Sequence, residues 1–408
     1  MSLLPVAEAQ ARLLDSAAPI RRFESVPLDM AEGRILARDV VARLTQPPFD
    51  ASAMDGYALR FEDAATPGSE LRVIGASAAG HAFEGTIGQG EAVRIFTGAP
   101  VPAGADSVLL QEDAERLEGD RIRTAYPLRK GQHIRPRGQD FLEGEAVLSA
   151  GTVMDFSRLT VAAAMNYPVL DVYRRPLVAI LATGDELVAP GNEPGPSQII
   201  ASNTFGIGAL ARNAGAHVLD LGIVPDNSDE ITAAIGRAQV AKADVIVTLG
   251  GASVGDHDLV QATMVAAGMK LDFWRIAMRP GKPLMVGSLG DMHILGLPGN
   301  PASSLVCGLL FLEPLIRKLV SLPPVKREGV VRAAVRLAPN DQRQDYVRAT
   351  LTKDADGGWL TEPFSKQDSS MMKIFSRADC LVIRPPHAPE LDAGSPTPVL
   401  FLRPDLLG

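Results

Sequence analysis

The sequence predicts a multidomain α/β plus β protein, with a doubly wound α/β domain at its centre and β-rich segments around it. Three observations predict this. The chain has 408 residues, enough for two to four domains at ~150 residues each. Between residues 177 and 320, apolar β-branched runs alternate with segments of helical spacing, the pattern of a parallel sheet covered by helices. Outside that stretch short runs are punctuated by Pro and Gly, which number 31 and 38 and make up about 17% of the chain against an ordinary ~12%.

The elements follow in order. Pro5 opens a helix to about Ser16, with Val6, Ala9, Leu13 and Leu14 on one face. From Leu36 to about Val147 the text turns to short alternating runs, Leu71–Ile74, Glu91–Phe96 and Ser107–Gln111, parted by Pro47-Pro48, Gly98-Ala99-Pro100 and Gly131. This reads as a small barrel or sandwich. Asp155–Asn166 returns to helical spacing, and Tyr173–Pro176 is a junction.

In the α/β stretch, Leu177–Leu181, Ala216–Ile223, Asp244–Leu249, Leu284–Val286 and His293–Leu297 read as strands. Helices are expected over Asn203–Asn213, Ser228–Gln239, from about Asp256, and over Ser303–Val320. After Pro323-Pro324, strands near Gly329–Leu337, Tyr346–Leu351, Leu381–Ile383 and Val399–Leu402 make a separate small β domain.

Bulk properties exclude several classes. A net charge of −8 argues against nucleic-acid binding, which needs a basic face. Cys307 and Cys380 sit in apolar runs, as core residues of a reducing compartment would. The N-terminus lacks a signal-peptide pattern, and no segment approaches a ~20-residue apolar span. A soluble, cytoplasmic protein without membrane partners is expected. The six histidines are dispersed without metal-ligand spacing, and no Ser/His/Asp triad or reactive cysteine can be assembled. His257 alone lies in a chemically suggestive loop.

That loop is Gly250–Asp258, reached directly from Val245–Leu249. Glycines at a strand's carboxyl end let backbone N–H groups approach an anion. Here Gly250, Gly251 and Ser253 supply donors and Asp256 and Asp258 supply acids, with Asp256 also readable as only the cap of the next helix. Thr183-Gly184-Asp185-Glu186 reads equally as a Mg²⁺ or water site and as a helix N-cap. Pro225-Asp226-Asn227-Ser228 suits an ordinary turn or cap. Arg279 and Lys282 flank a rigid Pro-Gly turn, as oxyanion binding would need. Pro298-Gly299-Asn300-Pro301 enters the last helix ahead of Ser303, where free N–H groups await an anion. Asp50, Asp55, Thr97, Arg137 and Asp140 lie in N-terminal turns that also read as barrel turns with surface charges, a reading composition alone does not reject.

These segments together resemble the MoeA-type molybdopterin molybdenumtransferases, the family that includes the E domain of gephyrin. The resemblance runs through PPFDASAMDGYA at 47–58, RIFTGAPVP at 94–102, IRPRGQD at 134–140, ATGDEL at 182–187, LGGASVGDHD at 249–258, RPGKP at 279–283 and GLPGNPASS at 296–304. It implies an elongated N-terminal domain (1–45 and 138–176), an inserted β domain (46–137), an α/β molybdopterin-binding domain (177–322) and a C-terminal β-barrel (323–408). It also implies conversion of adenylylated molybdopterin and molybdate into molybdenum cofactor and AMP, with Mg²⁺.

By that resemblance, Gly250, Gly251, Ser253, Pro298, Gly299, Asn300, Pro301 and Ser303 cradle the pterin phosphate or molybdate, and Arg279, Lys282 and Arg137 bind substrate. Glu186, Asp226 and Asp258 serve Mg²⁺ and the attacking water. A homodimer is implied, in which Asp55, Thr97 and Asp140 reach the site from the partner subunit. A molybdopterin adenylyltransferase and acceptor molybdoenzymes are candidate further partners. Two alternatives are an adenylyltransferase, whose glycine turn characteristically reads Gly-Gly-Thr-Gly, and a non-catalytic cofactor-binding scaffold. Arg279 stands where many family members have Lys, and Gln367–Met372 matches the family's C-terminal pattern only loosely.

Overall fold

A computed structural model of the protein describes residues 3–250 and 259–403. The chain divides into two compact units, residues 24–172 and residues 1–23 with 173–408.

The larger unit is built on a six-stranded sheet. Its strands are β1 (Leu177–Thr183), β2 (His217–Val224), β3 (Val245–Leu249), β4 (Lys270–Phe273), β5 (Met285–Leu289) and β6 (Met292–Leu297). Their order is β2-β1-β3-β6-β5-β4. The first four strands in that order are parallel, whereas β5 runs antiparallel to both β6 and β4. The expected parallel sheet thus carries one antiparallel strand, β5. The reason is local: only Gly290 and Asp291 separate β5 from β6, and so short a connection can join only antiparallel strands. The sequence reading also passed over β4, whose Lys270-Leu271-Asp272 is exposed and breaks the apolar run.

Successive side chains on a strand point to opposite faces, and both faces are covered. On one, Val178, Ile180, Val245, Val247 and Leu295 pack on Ile207 and Ala211 of helix α2 (Asn203–Ala214) and on Leu310–Leu319. On the other, Ala179, Leu181, Ile246 and Ile294 pack on Ile231, Ala234 and Ile235 of α3 (Ser228–Val240), and on Val260 and Met264 of α4 (Leu259–Ala266). That is the doubly wound arrangement expected.

The N-terminal helix α1 (Val6–Asp15) buries Val6, Ala9 and Leu13 in the first of these cores. By contacts it thus clusters with the larger unit. The last helical stretch, expected as one helix, runs as α5 (Pro301–Cys307), a wider turn (Gly308–Leu312) and a final helix (Glu313–Leu319). Pro314 has no N–H to offer Leu310 four residues back. The Leu310 carbonyl instead accepts from Gln10 Nε2 at 2.9 Å.

The C-terminal strands Glu328–Ala333, Gln344–Lys353, Trp359–Pro363, Cys380–Arg384 and Pro396–Phe401 form a closed sheet. The pairing of Gln344–Lys353 with Cys380–Arg384 completes the expected barrel. Glu313 and Arg327 tie it to the final helix by a buried two-pronged ion pair, at 2.7 and 2.8 Å.

In the smaller unit, six strands between Gly56 and Thr124 form one mixed sheet. It is not a closed barrel: apolar clusters around Tyr57 and Leu109 and around Val93 and Val108 lie on opposite faces. A separate core gathers Leu36, Val40, Phe141, Met154, Met165 and Leu170. It includes Ala162 of the helix Phe156–Ala164, whose cap Asp155 accepts from Ser157 and Arg158 N–H groups.

Candidate functional site

In open α/β sheets ligands gather at the carboxyl ends of the parallel strands. The strand registers send five loops to that one edge. Loops after β1, β2, β3 and β6 leave it directly. Met285, the first residue of β5, is paired with Gly296 near the end of β6, so the 279–283 loop arrives there too.

The first two loops bring their acids together. Gly184 has φ +147, and a Cβ there would lie 2.3 Å from Glu186 Oε2, so the Glu186 carboxylate is folded back over the turn. The Asp226 N–H donates to Asp185 Oδ1 at 3.1 Å. Burial pushes the Asp226 carboxyl up, and the nearby Asp185 and Glu186 charges push it further. No helix starts at Thr183–Glu186, where Leu187–Val188 instead pairs with Ile199–Ile200, so the cap reading fails. In the second loop the cap of α3 is Asn227, which accepts from Asp229 and Glu230 N–H groups. Asp226 is left for other work.

Hard oxygen donors crowded by like charge suit Mg²⁺, which takes one or two carboxylates and keeps several waters. Among the described residues no three His, Cys, Asp or Glu side chains form a ready cage. Gly251, Ser253 and Asp258, with Asp256 and His257, lie outside the described residues.

Gly250 has φ +95, and a Cβ there would stand 2.7 Å from the Thr183 carbonyl. Only glycine lets the ends of β1 and β3 close to this distance. Gly299 lies against it, 3.7 Å from Gly250 Cα to a built Cβ, and the Gly299 carbonyl accepts from Asn203 Nδ2 at 2.7 Å. Pro298 is buried, while Asn300 is exposed and precedes Pro301 at the start of α5. Ser303 is buried; the neighbouring Ala302 N–H is already engaged by the Ser369 carbonyl at 3.0 Å. Thr183, Thr248 and Ser304 carry buried hydroxyls without a partner among the described residues.

Lys282 is exposed and forms no ion pair with a described residue. Arg279, in contrast, is bound to Asp341 and Asp345 of the barrel. Sequence reasoning missed this, and missed Arg348, which is buried and donates to Gln367 Oε1 and the Met371 carbonyl. The signal was present: an arginine inside the apolar alternation of 346–351, and the 367–372 segment whose Ser369 reaches α5.

In the smaller unit the three N-terminal motifs converge. Ala51–Ser52 pairs with Ile134–Arg135 on one side, and Ala51 bridges Pro100 on the other. Asp55 accepts from the Thr97 N–H and hydroxyl, which hold its carboxyl below the usual range with help from the Arg94 charge. Arg94 stacks on Tyr57 and Phe96 and donates to the Gly56 carbonyl at 2.9 Å. Asp50 is explained locally: it accepts the Arg137 N–H at 2.8 Å. The Arg137 side chain donates to the Pro48 carbonyl. Asp140 is exposed, its N–H bound to the Gln46 carbonyl.

Comparison with known proteins accounts for nearly the whole chain. Residues 4–166 match the MoeA N-terminal region (domain I and II), 179–318 a probable molybdopterin-binding domain, and 330–402 the MoeA C-terminal region (domain IV). The chain is 39% identical to the molybdopterin molybdenumtransferase of a Nostoc species, over 80% of this chain and 77% of that one. With its Haemophilus influenzae counterpart it is 33% identical, over 96% and 97%. Two solved structures of the molybdopterin biosynthesis MoeA protein from Pyrococcus horikoshii superpose with TM-scores of 0.83 and 0.77. Their identities are 30% and 26%, and each match covers 98% of this chain and all of that one. The chain therefore belongs to the MoeA family of molybdopterin molybdenumtransferases.

Proposed function

We propose that the protein inserts molybdate into adenylylated molybdopterin, releasing AMP and giving molybdenum cofactor. One observation beyond family membership carries this: Glu186 and Asp226, the close-packed Gly250 and Gly299, and Lys282 without an ion pair to a described residue gather at one sheet edge, with no activated nucleophile among the described residues. The chemistry needs none, because the substrate's own dithiolene takes the molybdenum. The protein must hold two anions together and assist cleavage of the phosphoanhydride by position and electrostatics.

Gly250, Gly251, Ser253, Gly299 and Ser303 form the cradle for the phosphate or molybdate in this reading, and Lys282 offsets oxyanion charge. Glu186 and Asp226, with Asp258, would hold Mg²⁺, which when bound would supply charge neutralisation at the phosphoanhydride, and the same acids would orient the attacking water. Relief of the like-charge crowding at Asp226 is what supports the ion's presence. Asp55, Thr97 and Asp140 are proposed to complete the cleft from a second subunit of a cytoplasmic homodimer. Neither an adenylyltransferase nor a carrier scaffold needs the acids and the flanking domains in this combination.

Purified protein given adenylylated molybdopterin, Mg²⁺ and molybdate should release AMP in proportion to molybdate. Formation of adenylylated molybdopterin from molybdopterin and Mg-ATP would instead establish the adenylyltransferase, and binding without AMP release the scaffold.

A further inference from the structure

The pair Arg279 and Lys282 looks from sequence like two cations aimed at one oxyanion, but their surroundings differ. The Arg279 guanidinium donates to Asp341 Oδ2 at 3.0 Å, to Asn340 Oδ1 at 3.4 Å and to the Asp345 carboxylate. The acceptors are themselves fixed in the barrel. Asn340 Nδ2 donates to the carbonyls of Arg343, Arg384 and Pro385 at 2.7, 2.8 and 2.9 Å. Asp345 is buried, and its Oδ1 has no partner among the described residues. A buried carboxylate so poorly solvated is sustained by the cation on its other oxygen.

The backbone makes the same joint. Met278 and Arg279 pair in parallel with Gln344 and Asp345, and the Gln344 N–H donates to the Ala277 carbonyl at 2.9 Å. On its far side the turn is pressed against the α/β domain. Gly281 has φ +109, and a Cβ there would meet Cys307 Sγ at 2.6 Å. The Ile276 N–H closes the loop on the Lys282 carbonyl at 3.1 Å. The 279–283 turn is thus clamped between barrel and α5, and Lys282 projects from it exposed. A guanidinium facing two carboxylates and an amide oxygen offers little net positive charge to a second anion.

We propose that Arg279 is a positioning residue and not an anion ligand: Asp341 and Asp345 hold its planar fork as a strut that fixes the 279–283 turn and thereby sets where Lys282 meets the substrate oxyanion. This rests on the molybdate-insertion reading above. It also accounts for arginine at a position where the ammonium of lysine, a point charge, could not span two carboxylates with one rigid plane. The barrel acquires a role in catalysis without touching substrate.

The test measures molybdate-dependent AMP release in the full-length enzyme. Asp345→Asn should raise the KM for molybdate about fivefold or more, as should Lys282→Ala. In the Lys282→Ala background Asp345→Asn should change that KM no further. Simple loss of folded enzyme lowers the maximal rate and leaves KM alone, so it cannot mimic this coupling. A molybdate KM that falls or stays unchanged in Asp345→Asn, or effects that multiply in the double variant, would overturn the strut. Hydrogen exchange reads the joint without any turnover: the Ile276 and Gln344 amides should lose protection in Asp345→Asn, and unchanged protection also refutes it. If the wild-type enzyme releases no AMP, the functional reading fails while exchange still judges the strut.

Discussion

Asp55 accepts two hydrogen bonds from one residue, the N–H and the hydroxyl of Thr97, each at 2.7 Å. The backbone bond is the larger cause of its lowered pKa and the hydroxyl the next. Thr97→Val removes the second and keeps the first, so the Asp55 pKa should rise part of the way toward an ordinary ~3.9. The sign follows from a carboxyl more acidic folded than unfolded: its stabilisation is present above the unfolded pKa and is lost as pH falls through the folded one. The variant should therefore lose that contribution at a higher pH. A carbon-13 titration of the Asp55 carboxyl checks it, and an unmoved midpoint would show that the hydroxyl bond does not form in solution.

Glu186 and Asp226 are brought together by loops after two different strands. Glu186→Gln and Asp226→Asn should each slow AMP release by about 10²-fold, the scale of losing one preorganised charge-stabilising group. Pterin affinity, followed by fluorescence, should be nearly unchanged. Asp226→Asn should also demand more Mg²⁺ for half-maximal rate. Wild-type turnover in either variant would remove these acids from the chemistry.

Gly250→Ala places a Cβ 2.7 Å from the Thr183 carbonyl at φ +95, and should cost about 2–3 kcal/mol. Gly290→Ala, also at positive φ but with nothing within 4 Å, should cost about 1 kcal/mol from backbone strain alone. Comparing thermal unfolding of the two isolates the collision, and equal shifts would mean the strand ends can part.

The ion pair of Glu313 with Arg327 is buried on both sides, with side-chain exposures of 6% and 12%. Glu313→Ala strands the guanidinium against the Phe401 and Leu402 carbonyls it also contacts. A loss of about 3–5 kcal/mol is expected, and replacing both residues by methionine should recover much of it. Denaturant unfolding of the single and double variants measures the difference.

What the sequence disclosed was whatever a local pattern can encode. The 177–183 and 245–249 runs announce buried strands, because residues covered on both faces must be apolar throughout. Exposed β4 has no such signature, and its pairing depends on a hairpin partner whose direction only the Gly290-Asp291 turn determines. The glycine and acid loops were legible as a group, since each follows a strand that ends at the same edge. Whether an acid caps a helix or is left for chemistry was not legible: Asn227 and Asp226 are neighbours, and only the direction of the backbone at α3 separates them. Arg279 was harder still, for its partners Asp341 and Asp345 lie some sixty residues on, across a domain boundary.

The two cysteines bear on how motion in this enzyme could be watched. Cys307 lies fully buried beneath Gly281, and Cys380 is buried within the barrel. Burial pushes both thiols toward the protonated form, Cys380 to about 11, so neither should react with a thiol reagent while its cover is closed. Each becomes a native reporter of one opening event. Labelling at Cys307 times the lifting of the 279–283 turn, and labelling at Cys380 times the breathing of the barrel. The ratio of the two rates would tell whether the parts open as one body or separately, with no foreign probe introduced.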